Sequence, residues 1–140
     1  MQPPPNSAIT PRMRVLLDTQ AFLWWVEDAP TLSKKARAAI GDPDNECLLS
    51  LASCWEMAIK LSLGKLRLPV AIERFIPEQL AANAFRQLAI DLRHVARVAV
   101  MPFHHRDPFD RLLAAQALEE RCVIVSADAV FTKYGVKRVW

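Results

Sequence analysis

Short apolar runs alternate with amphipathic helical stretches along almost the whole chain, and that alternation limits the available folds. Residues 14–17, 47–50, 85–90, 122–126 and 136–139 read as strands. Residues 19–27, 32–40, 52–63, 71–83, 92–100, 108–121 and 129–134 read as helices. Thr31 or Ser33 can cap the second helix and Gly41 stops it, Gly64 ends the third, and Pro77 can kink or divide the fourth. Residues 101–107 form a loop rich in Pro and His. Strands that alternate with helices imply a parallel or mostly parallel sheet covered on both faces, an α/β fold. At 140 residues one domain is the default, and neither an internal repeat nor a second domain is visible.

Composition narrows the class further. A hydrophobic content of 52% supplies a core and excludes general disorder. The net charge of +3 tolerates a polyanionic partner without requiring one, and the basic residues are dispersed rather than blocked. Cys47, Cys54 and Cys122 are odd in number and lack metal-ligand spacing, so buried free thiols in a reducing cytosol are expected, and with them a cytoplasmic protein. No apolar run is long enough to span a membrane. The start, MQPPPNSAITPR, has no apolar segment of the secretory kind. Residues 1–12 are read as a disordered or loosely docked extension, Met13 as the true start, and residues 13–140 as the domain.

Four acids stand where such a sheet would gather them. Asp18 closes the first strand in VLLDTQAF, and Asp128 follows the fourth in VIVSADAVF. Asp110 opens a helix in HHRDPFDRLLAAQA, and Glu56 lies about two turns into the helix of SLASCWEMAIK. In a parallel sheet the strand C-termini and the next helix N-termini share one edge, where open α/β folds place their sites. Each acid also has an ordinary role. Asp18 and Asp128 can cap the helices that follow them, and Glu56 can pair with Lys60 at i+4. Asp107-Pro108-Phe109-Asp110 is a helix start, with Asp at the cap and Pro at the first position.

The helical stripes separate these roles. Glu56 shares a face with Ala52, Ile59 and Leu63, which tucks it inward. Asp110 shares one with Leu113, Ala114 and Ala117, which should face the sheet, so Asp107 is assigned as the cap and Asp110 carries the chemistry. Thr19, Ser126 and Asp107 are the supporting polar residues; Ser126 can hydrogen-bond a carboxylate or a water. Two carboxylates about 5 Å apart repel by roughly 3 kcal/mol at an effective dielectric near 20. Four together need a cation, and hard oxygen ligands suit Mg²⁺ or Mn²⁺. His104 and His105 are adjacent and point differently; they read as loop residues that can touch substrate, not as a zinc site. Trp24, Trp25, Trp55 and Trp140 favour core or dimer-interface packing over base stacking.

Taken together, VLLDTQAFLWW, SLASCWEMAIKLSLGKLRLP, HHRDPFDRLLAAQALEE and VIVSADAVFTKYGV resemble the PIN-domain ribonucleases, in particular the VapC-type toxins of bacterial toxin–antitoxin pairs. The resemblance runs from Arg14 to Val139 and puts the family's acids at Asp18, Glu56, Asp110 and Asp128. It implies a three-layer α/β/α sandwich, Mg²⁺ or Mn²⁺ dependence, hydrolysis of RNA phosphodiesters, a VapB-type antitoxin partner and a homodimer. Two alternatives stay in view. One is a non-catalytic PIN-like domain that binds RNA or protein. The other is a phosphatase working through an aspartyl-phosphate at Asp18, which the dehalogenase-like pattern disfavours because its second acid would fall at Gln20.

Overall fold

The first strand run, RVLL, is apolar without alternation, as expected of a strand covered on both faces. In the computed structural model, which describes residues 12–140, it is β1 (Arg14–Leu17), the middle strand of five. The others are β2 (Glu46–Ser50), β3 (Arg86–Leu88), β4 (Val123–Val125) and β5 (Arg138–Val139), in the order β3-β2-β1-β4-β5. All four pairings are parallel, so the sheet is wholly rather than mostly parallel. Residues 1–11 of the expected extension lie outside the described residues. Arg12 donates its backbone N–H to Asp44 O at 3.0 Å and a guanidinium N–H to Asp42 at 3.1 Å.

The helices are α1 (Thr19–Val26), α2 (Lys34–Gly41), α3 (Leu51–Ser62), α4 (Ile72–Asn83), α5 (Leu92–Val100), α6 (Pro108–Glu120) and α7 (Val130–Lys133). Ser33 caps α2, and Gly41 is its last residue instead of its stop. Pro77 lies within α4 without dividing it. Successive residues of β1 serve opposite layers. Val15 and Leu17 join a core with α1, α2 and α4, while Leu16 joins one with α6 and α7. This is the three-layer sandwich. Burying a Leu or Phe completely, as at Leu16, Leu17 and Phe22, is worth roughly 1.5–3 kcal/mol each. Trp24, Trp25 and Trp140 pack against the first core, whereas Trp55 is 59% exposed. The three cysteines are free and buried.

Three strands start later than expected, for one reason. The N–H groups of Phe85, Cys122 and Val136 reach back five residues, to Leu80, Ala117 and Phe131, at 3.0, 2.9 and 3.2 Å. Those donors close helix C-termini and are lost to the sheet. A buried polar chain then fixes α3 against α6. Ser50 donates to Gln116 Oε1 at 2.5 Å, and Gln116 donates to Ala89 O at 3.2 Å. His94 accepts the Asp91 N–H at Nδ1 (2.9 Å), and its Nε2 meets Glu120 at 2.9 Å. Glu120 also pairs with Arg93 and Arg14. Asp91, His94 and Glu120, close enough to suggest a metal site, are accounted for by these bonds. Among the described residues no helix is long and apolar enough to cross a membrane.

Candidate active site

From β1 the chain builds outward through β2 to β3, then returns to place β4 on the other side of β1. The C-terminal ends of β1 and β4 therefore flank the point where strand order reverses, and a crevice opens there. Asp18 follows Leu17 directly. Its N–H donates to Val125 O at 3.1 Å, which fixes it between the two strands. Its Oδ1 accepts the Ala21 N–H at 2.7 Å, so it does cap α1. The cap and the site are the same residue.

The other acids arrive from three more elements. Glu56 on α3 is held at both oxygens: Thr19 Oγ1 donates to Oε1 at 2.5 Å, and Lys60 Nζ lies 3.3 Å from Oε2. The expected ion pair is therefore formed, yet the Glu56 side chain is only 15% exposed. Asp107 caps α6, its Oδ1 accepting the N–H groups of Phe109 and Asp110 at 2.8 and 3.4 Å. Asp110, in the first turn, faces the cleft, while Leu113, Ala114 and Ala117 below it are buried. Asp128 donates its N–H to the buried Ser126 hydroxyl at 3.0 Å and accepts from the Val130 N–H at 2.9 Å. Asp18, Thr19, Glu56, Asp107, Asp110 and Asp128 all line one cleft of about 230 Å³, with Lys60 at its edge.

The acids feel burial and one another. Burial pushes the Asp110 carboxyl up to about 7; the charge of Asp107 adds to this, His105 opposes it, and Asp18 and Glu56 contribute less. Asp18 is also raised, first by burial, against hydrogen bonds from Ser126 and Ala21, with Glu56 and Asp128 adding repulsion. An all-oxygen donor set in which burial and neighbouring acids resist the ionisation of Asp18 and Asp110 fits a small hard divalent cation.

One residue beside the cleft carries little signal in the sequence. His105, expected only to touch substrate, sets its Nε2 at 3.0 Å from Asp110 Oδ2 and 3.4 Å from Asp128 Oδ2. Its neighbour His104 turns away, with its N–H on Tyr134 Oη at 3.1 Å and its ring against the Tyr134 edge. The only signal was proximity, since HHRDPFD runs straight into the helix start.

Comparison with known proteins agrees with this architecture. The family profile of the PIN domain matches residues 15–137. Ribonuclease VapC16 of Mycobacterium tuberculosis is 37% identical over 62 residues, 44% of each chain, so the match spans under half of that relative. VapBC2 from Rickettsia felis, solved bound to a DNA fragment from its promoter, superposes with a TM-score of 0.67 at 12% identity, covering 91% of this chain and 100% of that one. FitAcB from Neisseria gonorrhoeae gives a TM-score of 0.59 at 20% identity over 89% of this chain and 95% of that one.

Proposed function

This chain belongs to the PIN-domain family, and from that membership we propose that it is a divalent-metal-dependent endoribonuclease, the toxin of a toxin–antitoxin pair. The observation that carries this reading is the convergence of Asp18, Glu56, Asp110 and Asp128, from four different elements, on one cleft at the switch point of the sheet. Scaffolding alone would not require four acids there, because each raises the cost of ionising the others.

Asp18 and Asp110 are assigned as the most direct holders of Mg²⁺ or Mn²⁺, with Glu56 and Asp128 completing the set. When bound, such an ion offsets charge on a phosphodiester and lowers the pKa of water. The chain's own residues do the positioning. The Ala21 N–H, accepted by Oδ1, holds Asp18 at the cleft. Thr19 and Lys60 hold Glu56 so that it can orient a water for in-line attack. Asp107 fixes the first turn of α6 and so the direction of Asp110. Lys60, at the cleft edge, supplies a cation for an RNA phosphate.

Residues 13–140 are proposed as the working domain, in the cytoplasm, which suits three buried free thiols. The proposed partners are RNA, a VapB-type antitoxin and a second copy of the chain. Cleavage of total bacterial RNA by the purified chain tests the reading. Activity with Mn²⁺ or Mg²⁺, its loss in EDTA and its loss in Asp18→Asn are expected. Induced wild type should arrest growth, and Asp18→Asn at matched soluble levels should not. Equal arrest by both would end the ribonuclease-toxin reading.

A further inference from the structure

We propose that the open groove beside the acidic cleft is a subsite for one unpaired nucleotide of single-stranded RNA: Phe109 stacks its base, and Arg106 and Lys65 hold a phosphate next to the one that is cut. The inference rests on the reading of the cleft as a ribonuclease site and names the form of RNA it takes.

The groove has two walls. Glu56, Lys60 and Leu63 recur at helical spacing along α3, so they make one stripe that leads about 10 Å away from the cleft. Arg106 and Phe109 stand opposite, with Lys65 beyond the end of α3. The space between is about 450 Å³, the size of a ligand site. Glu56, Lys60 and Asp107 line both the groove and the cleft, so the two are continuous.

Its chemistry joins apolar surface to positive charge. Lys65 and Arg106 are exposed, and among the described residues neither takes part in an ion pair. Lys60 already pairs with Glu56 at the shared edge, and Asp107 is occupied by the N–H groups of α6. Lys65 and Arg106 are therefore the charges that an approaching strand meets in the groove. Arg106 is presented by its neighbours. His105 Nδ1 accepts the Asp107 N–H at 3.2 Å, and Asp107 Oδ1 accepts the Phe109 N–H at 2.8 Å. The backbone on the α6 side of Arg106 is fixed by these bonds, and its own side chain is left in solvent.

The Phe109 ring is also set. It meets the Trp55 ring edge to face, with centroids 5.1 Å apart. It divides the groove from a second hollow of about 260 Å³, lined by Trp55, Val95, Val98 and Leu112. Among the described residues that hollow has no charged group, so it offers a phosphate nothing, whereas the groove does. Every base has a π face, so stacking on Phe109 tolerates any sequence. It requires a base out of its own duplex stack, and hence an unpaired strand or loop.

The test is fluorescence anisotropy of a short labelled single-stranded RNA with the full chain in EDTA, which keeps the RNA intact. Wild type, Phe109→Ala, Phe109→Tyr, Arg106→Gln and Lys65→Gln are compared, and thermal melting checks that each folds. Phe109→Ala should bind roughly 5–150-fold more weakly, and Phe109→Tyr, which keeps the ring, as wild type does. Arg106→Gln and Lys65→Gln should each flatten the slope of log affinity against log salt by about 0.7, the value for one phosphate contact on a single strand. Annealing the RNA to its complement should abolish the dependence on Phe109. Unchanged affinity in Phe109→Ala, or equal weakening in Phe109→Tyr, overturns the stacking. Unchanged salt slopes overturn the phosphate contact. If Phe109→Ala leaves RNA binding intact and splits a dimer in sedimentation, the groove is a contact between copies of the chain and the subsite is overturned. A wild type that binds no RNA also overturns it. Cleavage by that same wild type in Mn²⁺ would leave the ribonuclease reading standing, and failure to cleave would remove both.

Discussion

Asp107 and Asp110 are three residues apart and do different work, which substitutions can separate. Asp107 caps α6 through two backbone N–H groups, so Asp107→Ala should cost about 0.5–2 kcal/mol in chemical denaturation, with Asp107→Ser recovering most of it. Asp107→Ser should keep most RNA cleavage, while Asp110→Asn should fold and cleave nothing. A folded but inactive Asp107→Ser would move that residue into the metal-holding set. Asp110 also makes a prediction about pH. Its carboxyl titrates near 7 in the folded chain against 3.8 in the ordinary case. A raised pKa favours folding while the group is protonated; that contribution is complete below pH 3.8 and is lost as pH rises through about 7. In EDTA, wild type should therefore lose stability relative to Asp110→Asn between pH 4 and pH 8, measured as diverging urea midpoints. The four acids were legible in the sequence because strand ends and helical stripes fix their direction within a few residues. His105 was not. Its ring accepts the Asp107 N–H, in a loop where Arg111 donates to Pro102 O and Tyr134 Oη receives both Arg111 and the His104 N–H, and no local periodicity encodes these contacts.

The elements were legible to within a few residues, and their ends show what was not. Five described residues have positive φ: Asp28, Gly64, Ala84, Arg121 and Gly135. Each is followed by a residue whose N–H reaches back five positions, at 2.8–3.2 Å. At Gly64 and Gly135 the sequence announced the closure, because glycine adopts this conformation without steric cost. At Ala84 and Arg121 no glycine marks it, and the apolar runs of the third and fourth strands begin one residue before β3 and β4 do. Ala84 is exposed, with φ 55°, so Ala84→Gly relieves a left-handed backbone while adding freedom to the unfolded chain. A net gain of up to about 1 kcal/mol is expected in the denaturation midpoint free energy, with cleavage unchanged. Destabilisation would mean that α4 does not end in this closure in solution. Pro77 can break a helix, yet α4 runs through it, with Phe75 and Ile76 packed into the core beside it.

At the scale of the molecule, the cation and the fold should be linked. An ion that binds only the folded chain stabilises it by about 2.7 kcal/mol when present at roughly 100 times its dissociation constant, equivalent to a rise on the order of 8 °C in melting temperature. Mn²⁺ or Mg²⁺ should raise the wild-type Tm in this way, and Asp18→Asn or Asp110→Asn should blunt the rise. An equal rise in all three would place the ion elsewhere. The strand order has a consequence for how the protein comes into being. Val15 pairs with Val123, so the acid after β1 and the acid after β4 meet only when strands more than a hundred residues apart have joined. A ribosome, adding about 5–20 residues per second, makes β1 well before β4. Until then a nascent chain carries Asp18 without Asp128 beside it. If the chain is the ribonuclease proposed above, the nascent chain carries an incomplete cleft and cannot cut RNA until β4 has emerged and joined β1.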